Sequence, residues 1–221
     1  MQISSETLKV LENLSSINPN LVIKPGSKLQ TINEAKSIFA SAQVSETFTE
    51  EVGIYDLPNF LAALSLIENP QLEFGSTVIG IKGDRAKLNY RCANIGILTK
   101  PEKDIKMPTV DVSFILKQTD LESIRRAAST LGHKILSIEG TSGTKISAVV
   151  LDPEDTSANS FSLELSDKAD MDFSFHFLIS NLKLLEGDYK VGISKRLISH
   201  WVNTNGKAEY WLALEKSSKV S

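Results

Sequence analysis

The chain has 221 residues, 41% of them hydrophobic and 23% charged, which suffices for one large domain or two of about 100 residues each. Its 11 basic against 12 acidic residues in 1–107, and 13 against 15 in 108–221, sum to a net charge of −3 and argue against a protein that grips nucleic acid through its whole surface. The one cysteine, Cys92, excludes an internal disulfide, no apolar run approaches membrane-spanning length, and residues 1–20 lack the apolar core of a signal peptide, so a reducing compartment is expected.

The first segment, SSETLKVLENLSSIN, predicts an amphipathic helix capped by Ser5, with Leu8, Leu11, Leu14 and Ile17 as its apolar stripe. LVIKPGSKLQTI reads as a hairpin around Pro25-Gly26, AKSIFASAQVS as a third strand and TFTEEVGIYD as a fourth. A helix over Leu57 to Ile67 follows directly, with Asp56 suited to its N-cap and Pro58 to its first turn. That helix carries no charge, and Leu57, Phe60, Leu61, Leu64 and Ile67 fall at helical spacing. Strands around Gly75 and around the tight turn Gly83-Asp84 complete the half.

After the aperiodic stretch NIGILTKPEKDIKMPTV the pattern starts again. TDLESIRRAASTLGHK predicts a helix capped by Thr119, with Glu122 at the capping-box position. Strands flank GTSGTK, and SFSLELS and DFSFHFLI alternate so that Phe161, Leu163, Leu165 and then Phe173, Phe175, Phe177 face one way. A short helical stretch at SNLKLLEG, the strand DYKVGI, a hairpin at Asn205-Gly206 and the last strand AEYWLALE end the chain. Residues 1–98 and 110–221 therefore read as two copies of one unit, with 99–109 as connector. Each unit is α+β, with two helices on one face of antiparallel sheet, and Asp56-Leu57 and Asn181-Leu182 begin the corresponding second helices. Such sheets leave open edges that further copies can pair, and a symmetric ring abolishes them.

Enzyme signatures are weak. GTSGTK lacks the spacing of a phosphate-binding loop and suits a hairpin turn. His133, His176 and His200 lie apart from one another and from Cys92, so no metal-ligand spacing exists, and Asp167, Asp170 and Asp172 suit a solvated loop. A small hydrolase would need a nucleophile and a base, and no such pair is in sight.

IYDLPNFLAALSL, SNLKLLEGDYK and the closing EYWLALE together resemble the sliding clamps of T-even-type bacteriophages, and the likeness in element order runs through the whole chain. The resemblance implies the DNA-clamp fold, two clamp domains per chain and a head-to-tail homotrimer around duplex DNA, with helices lining the hole and sheets forming the wall. It implies a non-enzymatic, cofactor-free processivity factor in the bacterial host's cytoplasm. Its partners would be duplex DNA, the replicative DNA polymerase, an ATP-dependent clamp loader and phage late-transcription factors. In that setting an uncharged outer helix face suits a ring that must slide without sticking to phosphate. The rival reading is a structural or adaptor ring that binds protein and no DNA, which the acidic balance suits.

Under this resemblance Lys9, Arg125, Arg126, Lys134 and Lys183 are the DNA-facing candidates. On helix 119–131 Leu121, Ile124, Ala128 and Leu131 form the apolar side, leaving Arg126 outward with Arg125 at the flank; arginines late in a helix also suit its dipole alone. Glu12 beside Lys9 departs from the more basic channel helices of the family. If Tyr210, Leu212 and Leu214 point inward, Trp211 points outward as an exposed contact residue. Clamps of this kind hold partner C-terminal peptides beside the connector, and here Ile105, Met107 and Pro108 with Trp211 are the candidate pocket. The strands KLNYRCA of one chain and SFSLELS of the next are the expected protomer contact, through Leu88 and Leu163.

Overall fold

The computed structural model describes residues 1–155 and 157–220. It divides into two compact units, Met1–Asp104 and Ile105–Ser221, both built of antiparallel sheet and few helices.

In the first unit α1 (Ser5–Ile17) buries Thr7, Val10, Leu11, Leu14 and Ile17, while Leu8 stays half-exposed. The cap is Ser4 rather than Ser5: its hydroxyl accepts from the Thr7 N–H at 3.2 Å. The expected hairpin at Pro25-Gly26 is not formed. Instead β1 (Leu21–Ile23) and β2 (Gly26–Ile32) part company, because proline followed by Gly26 at φ +118° redirects the chain without reversing it. The strand β2 pairs with β3 (Ile38–Phe48), Leu29 opposite Ala42, and β1 pairs with β4 (Val52–Ile54), Leu21 opposite Ile54.

The uncharged helix α2 (Leu57–Ser65) begins as its sequence predicts, with the Asp56 carboxylate accepting from the Asn59 N–H at 2.9 Å, but it stops two residues short of Ile67. Leu57, Phe60 and Leu64 are buried, whereas Asn59, Ala62, Ser65 and Leu66 face solvent. The strands β5 (Gln71–Phe74), β6 (Val78–Lys82) and β7 (Lys87–Arg91) form a meander, and among the described residues β7 is an edge of that sheet. Phe60 meets Tyr90 edge-on at 5.0 Å, so α2 sits against β7. A single 3-10 turn, Ile95–Ile97, follows.

In the second unit β8 (Val112–Leu116) leads into α3 (Gln118–Leu131), which buries Leu121, Ile124 and Ala128. Its N-cap is Lys117 with Asp120 at the third position, so Thr119 and Glu122 lie inside the helix rather than capping it. Capping comes from a distant segment: Asp188 accepts from the Gln118 N–H and from Lys117 Nζ, both at 2.9 Å. Next come β9 (Ile135–Gly140), β10 (Lys145–Leu151), β11 (Phe161–Lys168) and β12 (Phe173–Leu178), with the GTSGTK stretch turning between β9 and β10. The strands run in the order β11-β10-β9-β12, with a short β16 (Lys219–Val220) beyond β12, so β11 is an edge. Phe173, Phe175 and Phe177 are buried on one face, and β13 (Tyr189–Ser194), β14 (Ile198–Asn203) and β15 (Ala208–Ala213) supply Tyr189, Trp201, Tyr210 and Leu212 to the core.

The second helix expected here at SNLKLLEG is absent. Ile179–Asn181 makes one 3-10 turn and residues 182–188 run irregularly. Buried backbone groups still need partners, and side chains provide them. Leu185 donates its N–H to the Tyr210 hydroxyl at 3.2 Å and accepts from the Tyr189 hydroxyl at 2.7 Å. Asn203 donates to the Glu186 carbonyl and Gly187 donates to Gln118 Oε1. Burial raises the pKa of both phenols, that of Tyr189 to about 12.

Candidate nucleic-acid interface

Lys9 is exposed on α1 and Arg126 on α3, where the Arg126 guanidinium donates to the Ser123 hydroxyl of its own helix, at 3.4 Å. Lys134 is exposed two residues past the left-handed Gly132 that ends α3, with its backbone carbonyl accepting from Ile179. Lys183 is half-buried, between the buried Leu182 and Leu184. Glu6 and Glu12 are also exposed on α1, so the helix presents two acidic charges beside the one lysine.

Arg125 departs from the expectation. Its guanidinium is half-buried and donates to the Leu182 carbonyl at 2.5 Å and the Leu184 carbonyl at 3.5 Å, and burial lowers its pKa from the ordinary arginine value. Where a helix would have satisfied those carbonyls internally, Arg125 does so from α3. It is a staple of the irregular segment and not an outward-facing cation. Helical spacing puts Arg125 at the flank of α3, but two carbonyls from residues 182 and 184, far along the chain, leave no local mark in the sequence.

Trp211 is likewise corrected: it is 8% exposed, and its ring stacks on His200 at 4.3 Å and 15°, so it is no surface anchor. His200 in turn meets Glu209 at 2.9 Å. Trp211 is thus covered by His200 of the neighbouring β14. Ile105, Met107 and Pro108 are each half-buried, in a stretch with no helix or strand. Leu88 and Leu163 are half-exposed on β7 and β11, each an edge of its sheet among the described residues.

The groups weighed for chemistry have other occupations. Asp167 accepts from the Ile115 N–H of β8 at 3.0 Å and Asp172 from the Ser142 N–H at 2.8 Å. His133 pairs with the Asn159 carbonyl, and His176 with Ser174 and Ser217. Among the described residues no cluster of three histidine, cysteine or carboxylate side chains is placed to hold a metal, and no helix is long and apolar enough to cross a membrane.

A feature that motif reading passed over is the groove of about 340 Å³ between α3 and the start of β11, lined by Ser123, Arg126, Ala127, Thr130, Leu131 and Phe161 together with Ser160. Its signal in the sequence is the small residue Ala127 beside Arg126 on the helix side facing away from the sheet core.

No protein-family model matches the sequence. The chain is 30% identical to the sliding clamp of Vibrio phage KVP40, over 97% of this chain and 99% of that one. It is 26% identical to the sliding clamp of Escherichia phage RB69, over 99% and 98%. Among solved structures, the PCNA of A. fulgidus with the C-terminal region of FEN-1 superposes with a TM-score of 0.72 at 13% identity, covering 98% of both chains. The DNA polymerase III subunit beta of Pseudomonas aeruginosa superposes at 0.67 and 11% identity, over 97% of this chain and 64% of that one.

Proposed function

This chain belongs to the sliding clamp family and is a non-enzymatic DNA sliding clamp, and from that premise we propose that it acts as a head-to-tail homotrimer that encircles duplex DNA and tethers the replicative polymerase. The observation that carries this reading is the match along essentially the whole chain to a phage clamp. Two units per chain suit one third of a six-unit ring, and the open edges β7 and β11, with Leu88 and Leu163, suit the protomer contact. Unit boundaries of 1–98 and 110–221, with a connector at 99–109, remain part of this proposal.

Within the ring Lys9, Arg126, Lys134 and Lys183 face phosphate. Few cations and an uncharged α2 keep that attraction weak, which suits sliding: each phosphate contact adds to the salt-sensitive grip on DNA, and retention comes from topology instead. Ile105, Met107 and Pro108 form the partner-peptide pocket, in which methionine adapts to varied apolar ligands. An ATP-dependent loader opens the ring, phage late-transcription factors share the peptide site, and the protein works in the host cytoplasm.

The test is retention on DNA. Loaded on a closed circular plasmid, the protein is expected to co-elute with it in gel filtration and to be released when the plasmid is cut once. Equal retention on cut and uncut DNA overturns encirclement, and no retention on either favours a ring that binds protein alone.

A further inference from the structure

Lysines gather at one hollow of the first unit. A space of about 20 Å³ beside β2 is lined by Lys24, Lys28, Gln30 and Lys100 with Val22 and Pro101, so in a chain of net charge −3 its lining holds three cations and no carboxylate. The backbone puts them there. Pro25 and Gly26 redirect the chain between β1 and β2, and the alternation of a strand then sends Leu29 into the core and Lys28 and Gln30 to the other face. Asn18 fixes the approach of Lys100. Its side-chain amide donates to the Ile32 carbonyl at 2.9 Å and to the Thr99 carbonyl at 3.1 Å, which ties the residue before Lys100 to the end of β2.

One carboxylate already sits against this cluster. Asp104 accepts from Gln30 Nε2 at 2.7 Å and from Lys28 Nζ at 3.1 Å. Hydrogen bonds from Gln30 and Lys28, with the charges of Lys28 and Lys24, hold its carboxyl below the ordinary pKa. The hold is nevertheless a weak one, because Asp104 and Lys28 are both exposed and Asp104 lies in a stretch, residues 99–110, without helix or strand. The hollow itself has room for one further group the size of a water or a carboxylate oxygen.

We infer that Lys24, Lys28, Gln30 and Lys100 form a cradle for the carboxylates of an acidic segment on a protein partner, and that Asp104 is its built-in competitor. An Asp or Glu side chain of the partner takes Lys28 and Gln30 from Asp104 and meets Lys24 and Lys100 as well. The lining suits a carboxylate better than the phosphates of a nucleic acid: its donors are ammonium and amide groups with no arginine fork, Val22 and Pro101 are apolar, and the group seated against it is an aspartate. This rests on the partner-binding role proposed above and adds the charge of the partner and a regulator within the chain.

Fluorescence anisotropy at low salt tests this, with a rhodamine-labelled hexaglutamate peptide as the probe and labelled oligothymidine beside it. Asp104→Ala is expected to bind hexaglutamate about threefold more tightly than the parent and Lys28→Gln about threefold more weakly, the scale of one exposed ion pair. On the Lys28→Gln background Asp104→Ala should bring no gain. Glu102→Ala removes the same charge from an exposed position two residues away and should leave binding unchanged. An equal gain from Glu102→Ala reduces the effect to bulk charge and overturns the cradle, as does an Asp104→Ala variant that binds no better than the parent. Oligothymidine bound more tightly than hexaglutamate, with the same dependence on Lys28, makes the occupant a nucleic acid and overturns the proposal. Since the probe needs no loading on DNA, release from the cut plasmid together with an inert Asp104 removes the cradle alone and leaves encirclement standing.

Discussion

The Glu46 carboxylate on β3 holds the amino end of α1 by way of Thr7: one of its oxygens accepts from the Thr7 hydroxyl and the other from the Ser4 N–H at 2.5 Å. One side chain from the sheet thus meets a backbone donor and a hydroxyl at the amino end of α1 together with its positive dipole, which ties the start of α1 to β3. Burial alone would push the Glu46 pKa up. Hydrogen bonds from Thr7 and Ser4 outweigh it and bring the value down to about 2, from an ordinary 4.5.

A carboxyl whose pKa falls on folding stabilises the folded state above its unfolded value, and that stabilisation is lost as pH drops through the folded one. Melting temperature is therefore expected to fall between about pH 4.5 and about pH 2 in part because of Glu46. Glu46→Gln should lower stability at neutral pH by about 1 kcal/mol and flatten that part of the acid profile. An identical acid profile in the variant refutes the assignment.

Arg125 and Arg126 are neighbours in sequence with opposite duties. Arg125→Ala leaves the Leu182 carbonyl without its donor and is expected to cost about 1–3 kcal/mol in a thermal or denaturant melt. Arg126→Ala should leave melting within about 0.5 kcal/mol of the parent and reduce polymerase stimulation, an effect that shrinks as salt rises. The reverse pattern would place Arg125 on DNA and Arg126 in the structure.

Gly187 sits at φ +137°, and a Cβ there would meet Asn203 Nδ2 at 2.7 Å, the same atom that donates to the Glu186 carbonyl. Gly187→Ala should destabilise by more than about 1 kcal/mol, as read by melting. Gly143→Ala, at φ +82° in an open turn with nothing near its Cβ position, should cost less.

Trp211→Ala should act first on stability, by about 3 kcal/mol or more, because the ring is buried against His200. Met107→Ala, at a half-buried site outside regular structure, should keep its melting temperature and weaken binding of the polymerase's C-terminal peptide in titration calorimetry. Peptide binding equal to that of the parent would move the pocket elsewhere.

What the sequence determined by itself was local. Alternation placed β11 and β12, helical spacing placed α1 through α3, Asp56 and Pro58 started α2, and Gly83-Asp84 and Asn205-Gly206 turned their hairpins, because each of these signals acts over a few residues. Tertiary structure decided whatever depended on a partner far along the chain. Asp188 took over capping of α3 from Thr119, β1 found β4 instead of β2, and Trp211 was covered by His200. The largest difference, segment 182–188, follows the same rule. SNLKLLEG has the composition of a helix, yet Arg125, Tyr189, Tyr210, Asn203 and Gln118 converge on its backbone and satisfy from outside the groups a helix would satisfy from within.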